Sequence, residues 1–394
     1  MAVVININYS LTAVLAVMIA LAGCQQEGEV SVRLPAYDPL ADDYRLTDVE
    51  ITTLDDFRRL DGRATTLVGG AQIVLNYQEN EIDWKEAGAY VAFGGIKSDG
   101  VLIPEDFDSL AMASAYYGLE LSMLFFEDIG MPRDLLVHME TYYWPDLKII
   151  EADGEEIDMK DNAFYMYIAQ NDRGFYIFPY EDFQWLPLSM NAGVMTHEYT
   201  HAVFDALVHD PNRGVALAAM TISGANFLYG LNEGCADSMA VARTGDPDYM
   251  EHSIEKDVYV VQCNTAIREI VRDASEEWYY SPAIDSAARL QPAADFCPYD
   301  VGAFFASLMY SLARDIDEAG PGPDDIPSLE ARLEVATTLF GALDDLGQSL
   351  KTDFELYDMF SLLNARLSTQ AKRDAFCALL ESRYAMHYDF VEGC

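Results

Sequence analysis

Two histidines and a glutamate stand at the spacing of a metal-binding helix. The sequence reads His197-Glu198-Tyr199-Thr200-His201. On a helix, positions i and i+4 lie one turn apart on the same face, so both imidazoles can reach one metal ion. Glu198 can reach the same cavity without binding the metal, which suits a general base. The pattern predicts a zinc site with hydrolytic chemistry, although three fixed residues in five also occur by chance.

A second stretch, NEGCAD, offers the partners that such a site needs. On a predicted helix, Glu233 would complete two histidines and one carboxylate and leave the fourth zinc position open for water. Asp237, one turn further on, could accept a hydrogen bond from the far nitrogen of a ligand histidine and fix its tautomer. The two motifs together predict Zn²⁺ bound by His197, His201 and Glu233.

The elements around these motifs divide the chain into a mixed half and a helical half. Short segments rich in Val, Ile, Tyr and Phe predict strands at 71–77, 88–96, 135–144, 163–170 and 174–180. A long helix is predicted over 104–130, and apolar residues at three- and four-residue steps predict helices through most of 191–394. The expected fold class is α+β, with a ligand cleft where the halves meet.

These motifs resemble those of the thermolysin-like gluzincin metallopeptidases. PLS, Pro187 to Ser189, stands upstream of the first histidine at the spacing that family shows, and DNAFY at 161–165 looks like its Asn-Ala-Phe edge strand. The likeness covers about residues 104–243 and implies a two-domain zincin. Residues 49–190 would form an N-terminal α/β catalytic subdomain with a β-sheet. Residues 191–394 would contribute the active-site helix and a mostly α-helical C-terminal subdomain.

The resemblance also implies roles for individual residues. Glu233 corresponds to the third zinc ligand, and Asp237 and Asn232 correspond to residues that support the ligands. Asn162 and Ala163 correspond to the residues of the edge strand that hydrogen-bond a bound peptide. The resemblance therefore predicts a substrate cleft as well as a metal.

Two of the departures from the family pattern concern the oxyanion donor and a calcium ligand. The family has a later histidine that stabilises the oxyanion, whereas the corresponding stretch here, CPYDVGAFFASLMY, contains none. Tyr299 in that stretch could donate a hydrogen bond instead, and His252 and Tyr229 are alternatives. Gly193 stands where the family carries a calcium-binding Asp. A Ca²⁺ site, which the resemblance would also imply, would lack that carboxylate.

The N-terminus has the pattern of a bacterial lipoprotein signal. Residues 11–23 are uncharged, as in a signal-peptide core, and too few to span a bilayer. The run ends in LAGC, which looks like a lipobox whose Cys24 receives the lipid. No Lys or Arg precedes Arg33, so a plain secretory signal or a mis-assigned start is the alternative. We expect residues 1–23 to be removed and residues 24–48 to form a tether. The protein would then be lipid-anchored in the cell envelope, at the outer membrane or cell surface.

Charge and cysteine content limit the partners and the compartment. The chain has 66 acidic and 24 basic residues, a net charge of -42, so it should repel nucleic acid. Apart from Cys24 there are five cysteines, and an oxidising compartment would allow two disulfides among them. We predict the pairs Cys377–Cys394 and Cys263–Cys297.

The expected function is that of an extracytoplasmic zinc-dependent endopeptidase acting on a protein or peptide. Zinc would activate water, and Glu198 would act as general base. One alternative is a catalytically weak or inactive gluzincin-fold binding lipoprotein, which the missing oxyanion histidine favours. Another is a zinc hydrolase acting on a substrate other than protein. The intact set of His197, Glu198, His201 and Glu233 argues against an inactive protein, and the sequence leaves the oligomeric state open.

Overall fold

A computed structural model describes residues 29–39, 41–76, 79, 81–136, 138–150, 154–159, 162–169, 172–178, 186–209, 215–253, 260–263, 266–269, 273–292, 296–320 and 326–394. The strands are β1 (Val30–Asp38), β2 (Asp43–Ile51), β3 (Leu54–Asp56), β4 (Asp61–Gly62), β5 (Thr66–Gly69), β6 (Gln72–Asn76), β7 (Glu81–Glu86), β8 (Ala89–Tyr90), β9 (Gly95–Ser98), β10 (Val101–Pro104), β11 (Glu140–Tyr143), β12 (Asp146–Ile150), β13 (Glu156–Met159), β14 (Ala163–Ala169), β15 (Asp172–Ile177), β16 (Val260–Cys263) and β17 (Ala266–Glu269). The α-helices are α1 (Phe107–Asp128), α2 (Ala192–Val208), α3 (Ile222–Thr244), α4 (Pro282–Leu290), α5 (Pro298–Asp315), α6 (Leu329–Ser349), α7 (Leu356–Arg366) and α8 (Gln370–Arg383).

The fold is α+β, as predicted, with three mixed sheets before residue 178 and a helical remainder that holds one two-stranded sheet, β16-β17. The largest sheet has the order β14-β15-β11-β5-β4-β3, with β8 paired to β5. The other two have the orders β2-β1-β10-β9 and β13-β12-β6-β7. Strand β14 is therefore an edge strand, which pairs with β15 on one side and with no described strand on the other.

Helices α2 and α3 carry the two predicted metal-binding motifs. Asn191 begins α2 because its side chain accepts hydrogen bonds from two backbone N–H groups of the first turn. Thr221 caps α3 in the same way, and α3 ends at Gly245, whose φ of 80° suits glycine. Arg243 near the end of α3 donates to the Ala192 carbonyl at 2.5 Å. The start of α2 is thereby tied to the end of α3.

Glycines allow α3 and α5 to cross at short range. A Cβ on Gly234 of α3 would lie 2.7 Å from the Cβ of Phe305 on α5. A Cβ on Gly302 of α5 would lie 2.9 Å from the Cβ of Glu233. These separations leave no room for a side chain, so the crossing requires glycine and fixes the backbone that carries Glu233.

One hydrophobic core unites the two halves. A single cluster of buried side chains runs from Val30 in β1 to Val391 near the C-terminus. Buried Glu120 of α1 adds a polar link, because it accepts hydrogen bonds from the backbone N–H groups of Thr52 and Thr53 at 2.7 and 2.6 Å.

In the described part of the chain, no helix has both the length and the apolar character needed to cross a membrane.

The structure differs from the tether predicted over 24–48. From Val30 onward the chain forms the antiparallel hairpin β1–β2, paired from Val30↔Ile51 to Asp38↔Asp43. Val30, Val32 and Leu34 alternate with less buried neighbours and enter the core. This two-residue apolar period is that of a half-buried strand. The predicted signal peptide and Cys24 lie outside the described residues.

Two other local predictions also changed. The strand predicted over 88–96 is limited to β8 and the start of β9, with irregular backbone between them. Near the end of the predicted helical region 191–394, the chain is divided into α7 and α8, because Leu367 leaves helical geometry and Thr369 caps the next helix.

The cysteines follow the predicted pattern in part. Cys377 and Cys394 form a disulfide. Cys297 is also disulfide-bonded, but the side chain of Cys263 lies outside the described part, so that pairing stays a prediction. Cys235 is a buried free thiol on α3.

Candidate metal centre and cleft

Three side chains from α2 and α3 converge on one point. The Nε2 atoms of His197 and His201 are 3.0 Å apart. The Glu233 Oε2 lies 3.5 Å from the first and 3.8 Å from the second. The helical period places the two histidines on one face of α2, and the close crossing of α3 and α5 brings Glu233 to them.

The far nitrogens of the two imidazoles are held by acceptors. His197 Nδ1 donates to Asp237 Oδ1 at 2.9 Å, and His201 Nδ1 donates to Asn232 Oδ1 at 3.1 Å. A neutral imidazole that donates from Nδ1 presents a lone pair at Nε2. Two lone pairs therefore face each other across 3.0 Å beside a carboxylate, an arrangement that a cation would stabilise.

The donor set fits zinc. In a tetrahedral Zn²⁺ site with bonds of about 2.0–2.1 Å, neighbouring ligand atoms lie about 3.3 Å apart. The three separations here, 3.0, 3.5 and 3.8 Å, bracket that value. Two imidazoles and one carboxylate are also the ligands of one kind of catalytic zinc site. His197, His201 and Glu233 could hold the ion.

Tyr249 supports this centre and was missed at the level of sequence. Its hydroxyl donates to Asp237 Oδ1 at 2.6 Å and lies 3.1 Å from His197 Nδ1. The ring packs on Gly193, where a Cβ would overlap it. The tyrosine therefore occupies the space into which a calcium-binding side chain at position 193 would project. No local motif marks Tyr249, because only tertiary packing brings it to α2.

Glu198 faces the same cavity. It is buried, and its carboxylate accepts a hydrogen bond at 2.8 Å from the backbone N–H of Tyr165 in β14. Burial raises the pKa of Glu198; the nearby histidines lower it, and the Glu233 charge raises it further. A buried carboxylate with a raised pKa and a fixed orientation is suited to accept a proton from water.

A cleft of about 490 Å³ opens beside these residues. Asn162 and Ala163 line it from β14, and Tyr229 and Tyr299 line it from α3 and α5. His252 does not line it, because its imidazole lies 3.1 Å from Asp246 at another site. Of the three alternatives for an oxyanion donor, the structure brings only the two tyrosines to the cleft.

The edge strand β14 presents backbone groups toward this cleft. The Asn162 carbonyl accepts from Phe178 N–H at 2.9 Å on the β15 side. Backbone groups alternate in direction along a strand, so those of Ala163 and Tyr165 point away from β15. The Tyr165 N–H is used by Glu198, and the Asn162 side chain accepts from the Ala163 N–H at 2.9 Å.

Comparison with known proteins gives distant similarity to solved structures. No protein-family model matches the chain, and no curated protein matches its sequence. Among solved structures, the chain is similar to the precursor of protealysin, a metalloproteinase from Serratia proteamaculans. The identity is 12%, the similarity covers 79% of this chain and 87% of that chain, and the TM-score is 0.46. A likeness of this size does not by itself assign a function.

Proposed function

We propose that the protein is a zinc-dependent endopeptidase. The observation that carries the proposal is the convergence of two Nε2 lone pairs and the Glu233 carboxylate within 3.8 Å. Buried Glu198 lies beside them in the wall of a cleft. A metal-binding triad and an adjacent general base are the parts needed for hydrolysis of an unactivated amide.

Each side chain has a defined part in the proposed reaction. Zinc, when bound, supplies a Lewis acid that makes water more acidic and polarises the scissile carbonyl. Glu198 accepts the proton of the attacking water and delivers it to the leaving amine. The Tyr165 N–H fixes the orientation of the Glu198 carboxylate. The hydroxyl of Tyr299 or Tyr229 donates a hydrogen bond to the developing oxyanion.

The cleft accommodates an extended polypeptide. Strand β14 is at the edge of its sheet, and edge strands bind extended peptides through main-chain hydrogen bonds. The Asn162 amide and the Ala163 carbonyl supply polar groups along this edge. A peptide paired there would run past His197 and Glu198, which line the same cleft. The geometry thus favours a protein or peptide over a small-molecule substrate.

Casein hydrolysis with controlled metal content tests the proposal. We expect cleavage by the zinc-loaded protein, loss of cleavage after chelation, and recovery on addition of zinc. Of Tyr299→Phe and Tyr229→Phe, the one that removes the oxyanion donor should lower kcat by about 100-fold or more without changing zinc content. Zinc-loaded protein that binds casein and leaves it intact would refute the proposal and support the inactive binding lipoprotein.

We also propose that the protein acts outside the cytoplasm, attached to the membrane through lipid on Cys24. The support is the uncharged run followed by LAGC. In a bacterial host, Cys24→Ser should abolish incorporation of labelled palmitate and release the protein from the membrane fraction. Equal labelling of the variant would contradict the anchor and leave the peptidase proposal unaffected.

A further inference from the structure

A second group of possible metal ligands lies where the β1–β2 hairpin meets the loop after α3. It consists of Asp42, in the turn of the hairpin, and Asp246 and His252, in the loop; we call it the hairpin cluster. One ligand atom from each residue lies within 4.8 Å of the others. His252 Nε2 is 3.1 Å from Asp246 Oδ2 and 3.8 Å from Asp42 Oδ1.

The buried carboxylate of Asp246 indicates that this cluster binds a ligand. Asp246 is 3% exposed. Its Oδ1 accepts from the Asp248 N–H at 3.0 Å, but its Oδ2 accepts no hydrogen bond from any described residue. Within the described part of the chain, no Lys or Arg side chain lies within 4 Å of Asp246 or Asp42. Burial of a carboxylate destabilises the folded state unless a cation and hydrogen bonds compensate its charge.

A histidine–aspartate pair elsewhere in the molecule has the compensating charge that the hairpin cluster lacks among the described residues. His387 Nε2 makes a hydrogen bond of 2.8 Å to Asp285 Oδ1. Arg289 donates to both oxygens of Asp285 at 3.0 Å and supplies the compensating charge. In the hairpin cluster, His252 Nε2 and Asp246 Oδ2 lie 3.1 Å apart, and no arginine or lysine of the described residues joins them as Arg289 joins the other pair.

The neighbours of the cluster fix its groups in place. The Tyr37 hydroxyl donates to Asp42 Oδ1 at 2.9 Å. The rings of Tyr37 and Tyr44 meet the His252 imidazole edge to face, with centroids 5.5 and 5.4 Å away. Groups that hold a ligand in this way are typical of metal sites. One imidazole with two carboxylates suits a first-row transition ion, whereas Ca²⁺ prefers oxygen ligands alone.

We propose that Asp42, Asp246 and His252 bind a second divalent transition-metal ion, for which Zn²⁺ is the probe. The ion fastens the β1–β2 hairpin to the loop that also carries Tyr249. The Tyr44 hydroxyl of the same hairpin accepts a hydrogen bond at 2.8 Å from the Ala192 N–H, at the first turn of α2. The second ion therefore stabilises the position of the helix that bears the two histidines of the first site.

The number of zinc ions bound per folded chain tests the proposal. After zinc loading and removal of free metal, we expect two ions in the wild-type protein and one in His252→Ala. His387→Ala, the matched control in a histidine–aspartate pair, should keep two. Asp42→Asn changes a largely exposed side chain, so it should fold normally and release the second ion to a chelator that leaves the wild type fully loaded.

Thermal unfolding gives a second readout. Zinc should raise the Tm of His201→Ala, which retains only the hairpin cluster, and should not raise that of His201→Ala/His252→Ala. Equal zinc content in the wild type, His252→Ala and Asp42→Asn would overturn the proposal and leave His252 as an ion-pair partner of Asp246. A protein that loses one ion in His252→Ala but none in His201→Ala would retain the hairpin site and refute the proposed peptidase centre.

Discussion

Replacing Asp237 with Asn should weaken zinc binding at the proposed peptidase centre by about 30-fold. Asp237 is 2% exposed and accepts hydrogen bonds from His197 Nδ1 at 2.9 Å and from the Tyr249 hydroxyl at 2.6 Å. The amide of Asn is nearly isosteric and keeps an acceptor oxygen. The substitution therefore removes the charge while leaving the packing of α2 and α3 unchanged.

The magnitude follows from the two hydrogen bonds. A bond to a charged group contributes about 1.5–3 kcal/mol, and a neutral bond contributes about 0.5–1.5 kcal/mol. Loss of the charge therefore costs about 1 kcal/mol for each bond, or about 2 kcal/mol in all. Since 1.4 kcal/mol is a factor of ten, this corresponds to about 30-fold in Kd. The value lies within the range of about 10- to 100-fold for residues that orient metal ligands.

The assay is a competition titration of zinc against a chromophoric chelator. It is best made in the His252→Ala background, so that only one ion is titrated. Asp285→Asn is the matched control, because Asp285 pairs with His387 away from the centre. We expect a weaker Kd for Asp237→Asn alone. An unchanged Kd for that variant, or an equal loss in the Asp285→Asn control, would refute the role assigned to the carboxylate.

Three further predictions concern stability and packing. Burial raises the pKa of Glu198, so the ionised side chain destabilises the folded state at pH values above its unfolded pKa, whereas the protonated side chain does not. Glu198→Gln should therefore raise the Tm of the metal-free protein at pH 7.5 and not at pH 4. A variant with the same Tm as the wild type at both pH values would contradict this. Gly302→Ala places a Cβ 2.9 Å from that of Glu233, so it should cost about 1–3 kcal/mol of stability and weaken zinc binding in the chelator titration. Gly341→Ala, whose new Cβ has the Arg366 side chain as its nearest neighbour, should leave zinc binding unchanged. Cys394→Ser opens a disulfide that spans 17 residues and should lower the free energy of unfolding by about 3 kcal/mol in urea titrations, with zinc affinity unaltered.

The residues of the metal centre that could be predicted from the sequence are those with helical spacing. His197 and His201 are four residues apart, as are Glu233 and Asp237. This spacing fixes their relative positions on α2 and α3, whatever else the fold does. The helices themselves were predictable because their apolar residues recur at three- and four-residue steps and their first turns have side-chain caps.

The contributions that could not be predicted come from tertiary contacts. Tyr249 reaches Asp237 from a loop, and Asp42 reaches Asp246 from a hairpin about 200 residues away in the chain. Neither contact is signalled by a periodic pattern of residues in the sequence. The hairpin itself was interpreted as a tether, although Val30, Val32 and Leu34 alternate with less buried neighbours as in a half-buried strand. His252 was a candidate oxyanion donor by residue type, but its position beside Asp246 is set by packing.

Casein cleavage by Glu198→Gln tests the central claim most directly. Glu198 is not among the three converging ligand groups, so the variant should bind zinc at the centre as the wild type does. The account predicts that the zinc-loaded variant has the wild-type metal content and no measurable cleavage, whereas the zinc-loaded wild type cleaves casein. Equal cleavage by the two proteins at equal zinc content would contradict it.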